Sequence, residues 1–255
     1  MELKDRVILI TGASSGIGKA VALALSRRYN RIVIFARRKE LLAEVAETIR
    51  KNGSEALAIT GDALDEKQAA GAVHEAVQRF GHIDIALLNI GIGPSLDIAT
   101  AAPDDIKQNM RMNYDTMINF FCPLVRQMKT QESGGVIANT NSLAGFVGLP
   151  TQGHYSASKA ACRMFLDTAR IELKQFNIRV LTICPGFVVT ERNKHQGIPH
   201  SLTMTTDEAA KHILNALRSE RKEYLFPNHL KTAVMLPRFL PRSATERVLS
   251  RFSHS

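Results

Sequence analysis

Val7-Ile8-Leu9-Ile10-Thr11-Gly12-Ala13-Ser14-Ser15-Gly16-Ile17-Gly18 is the stretch that decides how this 255-residue chain is read. Val7 to Ile10 is apolar at every position. A half-exposed strand would alternate, so this run reads as a strand buried on both faces, as in a parallel sheet. Three glycines follow within seven residues. Without a Cβ the backbone can turn sharply and come close to a ligand. From Ile17 the period changes: Ile17, Ala20, Val21, Ala24 and Leu25 recur at helical spacing. A strand, a glycine turn and a helix start in succession offer unpaired N–H groups and a partial positive charge to a pyrophosphate.

The same alternation continues outward. Ile32–Phe35, Ala56–Ile59, Ile83–Leu88, Gly135–Asn141, Ile178–Cys184 and Tyr224–Phe226 read as strands. Between them Leu41–Ile49, Gln68–Phe80, most of Pro103–Lys129, Gln152–Phe176 and Asp207–Arg218 read as helices. Strands alternating with helices predict right-handed βαβ units. The expected fold is α/β: a Rossmann-type, doubly wound, mostly parallel seven-stranded sheet with helices on both faces, a three-layer sandwich. Residues 1–229 are expected to form one dinucleotide-binding and catalytic domain, and residues 230–255 a basic, partly amphipathic extension. Phe187 to Thr206 has little periodicity and is long for a connection, which suits a binding loop.

Composition narrows the class. Hydrophobic residues are 45% and charged residues 22%, which excludes a disordered or collagen-like chain. No apolar stretch approaches the ~18 residues of a membrane span. The apolar run after Arg6 is four residues long, too short for a secretory signal, so a cytoplasmic location is expected. Cys122, Cys162 and Cys184 have no metal or redox spacing and read as thiols in a reducing compartment. The histidines form no ligand pattern, so no metal is expected. The net charge is +9, and Arg218 to Ser255 carries eight Lys or Arg against three Glu. Basic balance suits an anionic membrane or a nucleic acid. No nucleic-acid recognition motif is present, so nucleic acid is not expected.

Tyr155-Ser156-Ala157-Ser158-Lys159 lies on the long helix of the second half. Residues four apart share a face, so the phenol and the ammonium can enter one site. A free tyrosine titrates near about 10. A neighbouring cation favours the phenolate and brings the group toward use as an acid or base near neutral pH. Ser142 stands at the end of the preceding strand, thirteen residues before Tyr155. Asn113 lies in the helical stretch before that, and Pro185-Gly186-Phe187-Val188-Val189-Thr190 follows the sixth strand.

The T-G-x-x-x-G-x-G turn at Thr11–Gly18, with Asn113, Ser142, Y-x-x-x-K at Tyr155–Lys159 and P-G-x-x-x-T at Pro185–Thr190, resembles the short-chain dehydrogenase/reductase family from about Leu3 to Phe226. The resemblance implies hydride transfer between a nicotinamide cofactor and a carbonyl or secondary alcohol. Tyr155 would be the acid/base, Ser142 would hold the substrate oxygen, and Lys159 would bind the nicotinamide ribose and lower the Tyr155 pKa. Asn113 would bend its helix and hold a water of the proton relay. Gly12, Ser14, Ser15, Gly16, Ile17 and Gly18 would bind the pyrophosphate side. Asp62 and Ala63 would sit at the adenine, Asn89 and Gly91 at the adenosine pocket, and Pro185, Gly186, Val188 and Thr190 at the nicotinamide. Leu88-Asn89-Ile90-Gly91 departs from the family's Asn-Asn-Ala-Gly at two positions.

Cofactor choice is read at the end of the second strand. An acidic residue there bonds the ribose 2′-hydroxyl of NAD, whereas arginine accommodates the 2′-phosphate of NADP. The strand ends Ala36-Arg37-Arg38. Arg37 aligns with the family's phosphate-binding position, with Arg38 beside it, so NADP(H) is expected over NAD(H). Phe146, Leu149, Phe187, Val188, Ile198 and Met204, with Arg192, Lys194 and His195, suggest an apolar pocket with a basic rim and a hydrophobic or lipid-like substrate. A 3-oxoacyl thioester reductase, a non-catalytic NADPH-binding regulator and a membrane-surface scaffold are the alternatives. The family implies a homodimer or homotetramer. The tail interleaves Leu230, Val234, Leu236, Phe239, Leu240, Val248, Leu249 and Phe252 with basic residues, broken by Pro237 and Pro241. It reads first as packing on the domain or a subunit interface, and second as a contact for a membrane surface or an acyl carrier.

Overall fold

The structure is a computed structural model that describes residues 1–191, 193, 199–236, 243, 245 and 246. β1 is Val7–Thr11, followed by α1 (Gly16–Leu25), β2 (Arg31–Ala36), α2 (Lys39–Lys51), β3 (Glu55–Thr60), α3 (Glu66–Phe80) and β4 (Ile85–Leu88). The second half contains α4 (Pro103–Met110), α5 (Thr116–Met128), β5 (Gly135–Thr140), α6 (Gly153–Glu172) and β6 (Ile178–Pro185). The short strands β7 (Phe187–Val188) and β8 (Thr203–Met204) come next, then α7 (Thr206–Ser219), β9 (Glu223–Phe226) and α8 (Asn228–Met235). The main sheet has seven strands in the order β3-β2-β1-β4-β5-β6-β9. All six pairings within it are parallel. The Rossmann-type α/β sandwich expected from the sequence is the fold.

Alternation along the strands builds the layers. Ile8, Ile10, Ile32, Ile34, Ile85 and Leu87 face one way, onto α1, α2 and α7. Val7, Leu9, Val33, Phe35, Ala86 and Leu88 face the other way, onto α3, α5 and α6. Phe35 meets Phe120 of α5 edge to face, with ring centroids 4.9 Å apart. Full burial of a Leu- or Ile-sized side chain is worth about 1.5–3 kcal/mol, so both faces of the sheet contribute to holding the layers together.

The topology places the site. From β1 the chain winds outward to β2 and β3, then returns to β4 on the other side of β1. That reversal leaves a crevice at the carboxyl ends of β1 and β4, where ligands of open α/β sheets bind. Three details depart from the simple pattern. The helical stretch after Pro103 contains a π-helical turn, Arg111–Asp115, between α4 and α5. The loop after β6 is stitched to the chain before α7 by the β7–β8 pair, Phe187 to Thr203 and Val188 to Met204. The connection after β9 forms α8, whose Leu230 packs onto the backbone of Gly186: a Cβ added to Gly186 would lie 2.6 Å from Leu230 Cδ1. Arg192, Lys194, His195 and Ile198 of the expected specificity loop lie outside the described residues, as do Pro237, Phe239, Leu240, Pro241, Val248, Leu249 and Phe252 of the tail.

Candidate active site

The glycine turn works as its composition suggests. Gly12 and Gly16 have φ of +69° and +58°, a region that L side chains rarely adopt. Gly18 is required by packing instead. A Cβ there would lie 2.4 Å from the Gly12 carbonyl oxygen and 2.7 Å from Asn89 Nδ2. Ser15 caps α1 in an extended conformation but makes no side-chain bond to the helix. Its hydroxyl accepts from Arg38 Nη2 instead, and the same nitrogen donates to Ser14 Oγ at 3.2 Å. The first turn of α1 carries no acidic residue. A sharp turn, uncapped helical N–H groups and a guanidinium at the rim suit the pyrophosphate and a phosphorylated ribose, so the residues present fit a dinucleotide. The guanidinium that reaches the turn belongs to Arg38. Arg37, singled out by alignment, is exposed and makes no side-chain hydrogen bond to a described residue.

The walls of the crevice come from the next strand ends. Asn89 N–H donates to Thr11 Oγ1 at 2.9 Å, tying β4 to β1 beside the glycine turn. Leu88, where the family has asparagine, is buried, and its carbonyl accepts from Asn139 Nδ2 at 3.0 Å. Asp62 Oδ1 accepts from Leu64 N–H, and Ala63 beside it is buried with its carbonyl bonded to Asn119. Across the crevice, Thr190 stands 3.5 Å from where a Cβ on Gly16 would be. The Thr190 N–H donates to Asn193 Oδ1, and Asn193 Nδ2 donates to the Val188 carbonyl. The Pro185–Thr190 segment is therefore folded around Asn193.

Asn113, Lys159 and Tyr155 come together around Gly91 and Gly93 after β4, and Ser142, just past β5, is joined to the Lys159 backbone through Asn141. Ser142 lies two residues past the end of β5, where it caps a short 3-10 turn by accepting the Ala144 N–H at 3.1 Å, so its own proton is left for another partner. Lys159 is only 3% exposed. Its Nζ donates to the Thr140 carbonyl at 3.1 Å and lies 5.6 Å from the Tyr155 ring centroid. Two glycines after β4 make room. A Cβ on Gly91 would sit 2.9 Å from Asn113 Oδ1 and 3.1 Å from Lys159 Nζ, and one on Gly93 would sit 3.0 Å from Tyr155 Cδ2. Asn113 lies in the π-helical turn, and its Oδ1 accepts the Ile92 N–H at 2.8 Å. Such turns are often found at functional sites.

Several supporting residues escaped the reading of the sequence. Asn141 Oδ1 accepts the Ser142 N–H and its Nδ2 donates to the Lys159 carbonyl, linking the serine to the helix of the tyrosine. Its position next to Ser142 was the available signal. Asn109 lies one helical turn before Asn113, a spacing that sequence does show, and bonds to it. His154 is only 6% exposed, and among the described residues neither ring nitrogen has a hydrogen-bond partner. It lines a pocket of about 240 Å³ with Ile92, Pro94, Ser95, Leu96, Asp105, Gln108 and Asn109.

The fold is that of the doubly wound, nucleotide-binding class of α/β proteins. The short chain dehydrogenase family model matches residues 6–199, and the chain belongs to that family. It is 36% identical over 193 residues to an uncharacterized oxidoreductase of Listeria monocytogenes, covering 75% of this chain and 77% of that one. It is 30% identical over 210 residues to versicolorin reductase of Emericella nidulans, covering 81% and 79%. Among solved structures, L-sorbose reductase from Gluconobacter frateurii, complexed with NADPH and L-sorbose, superposes with a TM-score of 0.80 at 25% identity, covering 89% of this chain and 96% of that one. A Burkholderia phymatum short chain dehydrogenase/reductase in complex with NAD has the same fold, with a TM-score of 0.85 at 22% identity and coverage of 93% and 94%.

Proposed function

We propose that this chain is an NADP(H)-dependent oxidoreductase acting between a carbonyl and the corresponding secondary alcohol, with Tyr155 as the general acid/base. The observation that carries the reading is the Lys159 ammonium, buried and tied to the Thr140 carbonyl, beside the Tyr155 ring. A buried cation is costly unless something uses it, and here it faces a phenol. In reduction Tyr155 donates its proton to the substrate oxygen, and in oxidation it takes that proton back. Ser142 orients the oxygen with the hydroxyl proton that its bond from Ala144 leaves free. One of the three Lys159 N–H donors is spent on Thr140, and the other two serve the phenol oxygen and the ribose. Asn113 orients the water through which Lys159 exchanges a proton with solvent. When bound, the nicotinamide supplies the hydride in reduction and accepts it in oxidation.

The preference for NADP(H) rests on Arg38 at Ser14 and Ser15 and on the lack of an acidic side chain at Ala36. With NADP(H) the working direction is reduction. Phe146, Leu149, Phe187 and Met204, all partly exposed and carried on the segments after β5 and β6, favour a hydrophobic substrate. Met164 and Ile171 are 61% and 78% exposed on α6, which supports a homo-oligomer joined through that helix. The test follows absorbance of the reduced nicotinamide with ketones, aldehydes, steroids and 3-oxoacyl thioesters. Turnover with NADPH well above NADH is expected. NADH equal or better would overturn the cofactor assignment, and tight NADPH binding without any turnover would favour a regulator.

A further inference from the structure

Asn109 stands at the end of α4, 1% exposed, outside the four residues given catalytic roles. Its Oδ1 accepts from Asn113 Nδ2 at 2.8 Å, and its Nδ2 donates to the Ile92 carbonyl at 3.2 Å. Ile92 answers with both backbone groups, because its N–H donates to Asn113 Oδ1 and its carbonyl also accepts from Asn113 Nδ2 at 2.9 Å. Ser158 Oγ closes the ring 2.9 Å from Asn113 Nδ2, whose two N–H are shared among three acceptors with Asn109 Oδ1 the nearest, and the Ser158 hydroxyl donates to the Tyr155 carbonyl at 2.8 Å. An N–H can only donate, so the Ile92 amide determines which end of the Asn113 side chain is oxygen. Asn109 Oδ1 is the nearest of the three acceptors that hold the other end, with the Ile92 carbonyl and Ser158 Oγ beside it. The Asn113 oxygen is thereby turned toward Gly91, where the Lys159 ammonium also arrives.

We propose that Asn109 is a positioning residue for the proton-transfer step, holding the Asn113 amide so that its oxygen faces Lys159. This rests on the reading of Asn113 and Lys159 as a proton path. An apolar side chain would fill the space between α4 and α6 without orienting anything. A buried amide that leaves any partner unmet is costly, and here every polar atom of Asn109 and Asn113 has a partner. The hydrogen bonds run from α4 through the π-helical turn to α6, so the helix that carries Tyr155 is in register with the asparagine behind it.

The test compares the full chain with N109L, which has the shape but no acceptor, and N109D, which keeps the acceptor toward Asn113. With NADPH and any carbonyl the enzyme reduces, N109L is expected to lower kcat about tenfold, the scale of one buried hydrogen bond. KM for NADPH should stay level, the solvent deuterium isotope effect should rise, and N109D should recover most of the loss. If N109L does not fold, N109A, which also lacks the acceptor, reads the same quantities. A second arm needs no turnover. The Asn113 side-chain amide signals, identified in ¹⁵N-asparagine-labelled protein by their loss in N113D, should move and exchange faster in N109L. Unchanged amide signals, or a kcat loss equal in N109D and N109L with no change in the isotope effect, would overturn the proposal. A protein that turns over nothing would refute the hydride-transfer reading, and the amide signals would still decide the role of Asn109.

Discussion

At the residue scale the site depends on a few atoms that cannot be exchanged. Gly18 is one, because any side chain would strike the Gly12 carbonyl oxygen. Overpacking of this kind costs about 1–3 kcal/mol. Gly18→Ala is therefore expected to lower the melting temperature and weaken NADPH binding together, as thermal unfolding with and without NADPH would read. Arg38 is a second. Removing a charged hydrogen-bonding group forfeits about 1.5–3 kcal/mol. Arg38→Ser should weaken NADPH binding by roughly one to two orders of magnitude and leave NADH nearly unchanged, as measured by titration of nicotinamide fluorescence. Arg37→Ser should do much less. The family resemblance singles out Arg37, with Arg38 beside it, whereas it is Arg38 that turns inward, because that depends on the direction in which the chain leaves β2. The same limit applied to Asn109, Asn141 and Asn193. Each is an ordinary polar residue until the fold brings its partner alongside.

At the element scale the strands and helices were legible because burial imposes its period on them. The continuous apolar runs became central parallel strands, and the Ile17–Leu25 spacing became α1. The π-helical turn, the β7–β8 pair and α8 were not legible. The first is a change of hydrogen-bond partner that leaves the apolar spacing intact, and the others are too short for any period to show. α7 and β9 offer a test by pH. His212 stacks on Phe226 with centroids 4.4 Å apart. Burial pushes the imidazole below its ordinary range, and Glu208 only partly opposes this. The unfolded chain then takes up the proton more readily than the folded one, at about 6.5. Stability from this group is complete above that pH and is lost as pH falls through the lower folded value. Denaturant midpoints between pH 8 and pH 5 should fall on the acid side. His212→Phe keeps the stack and should flatten that fall.

At the scale of the whole molecule, the two apolar layers leave little of the sheet open to solvent, and the thiols report on this. Burial raises the Cys162 thiol above its ordinary range and the Cys184 thiol well above it, while Cys122 is exposed. A thiol reagent at neutral pH should modify Cys122 alone in the native protein and all three cysteines in denaturant. The order of the strands has a further consequence: it carries the glycine turn, Ser142, Tyr155 and Lys159, distant in sequence, to one edge of the sheet. The central claim is that this edge moves a proton in step with a hydride, with Tyr155 as the group that moves it. The most direct measurement compares kcat and the NADPH dissociation constant in the native chain and in Tyr155→Phe, with the best carbonyl substrate of the panel. The prediction is a loss of kcat of about 100-fold or more with NADPH binding unchanged. A Tyr155→Phe variant that turns over as fast as the native chain would contradict it.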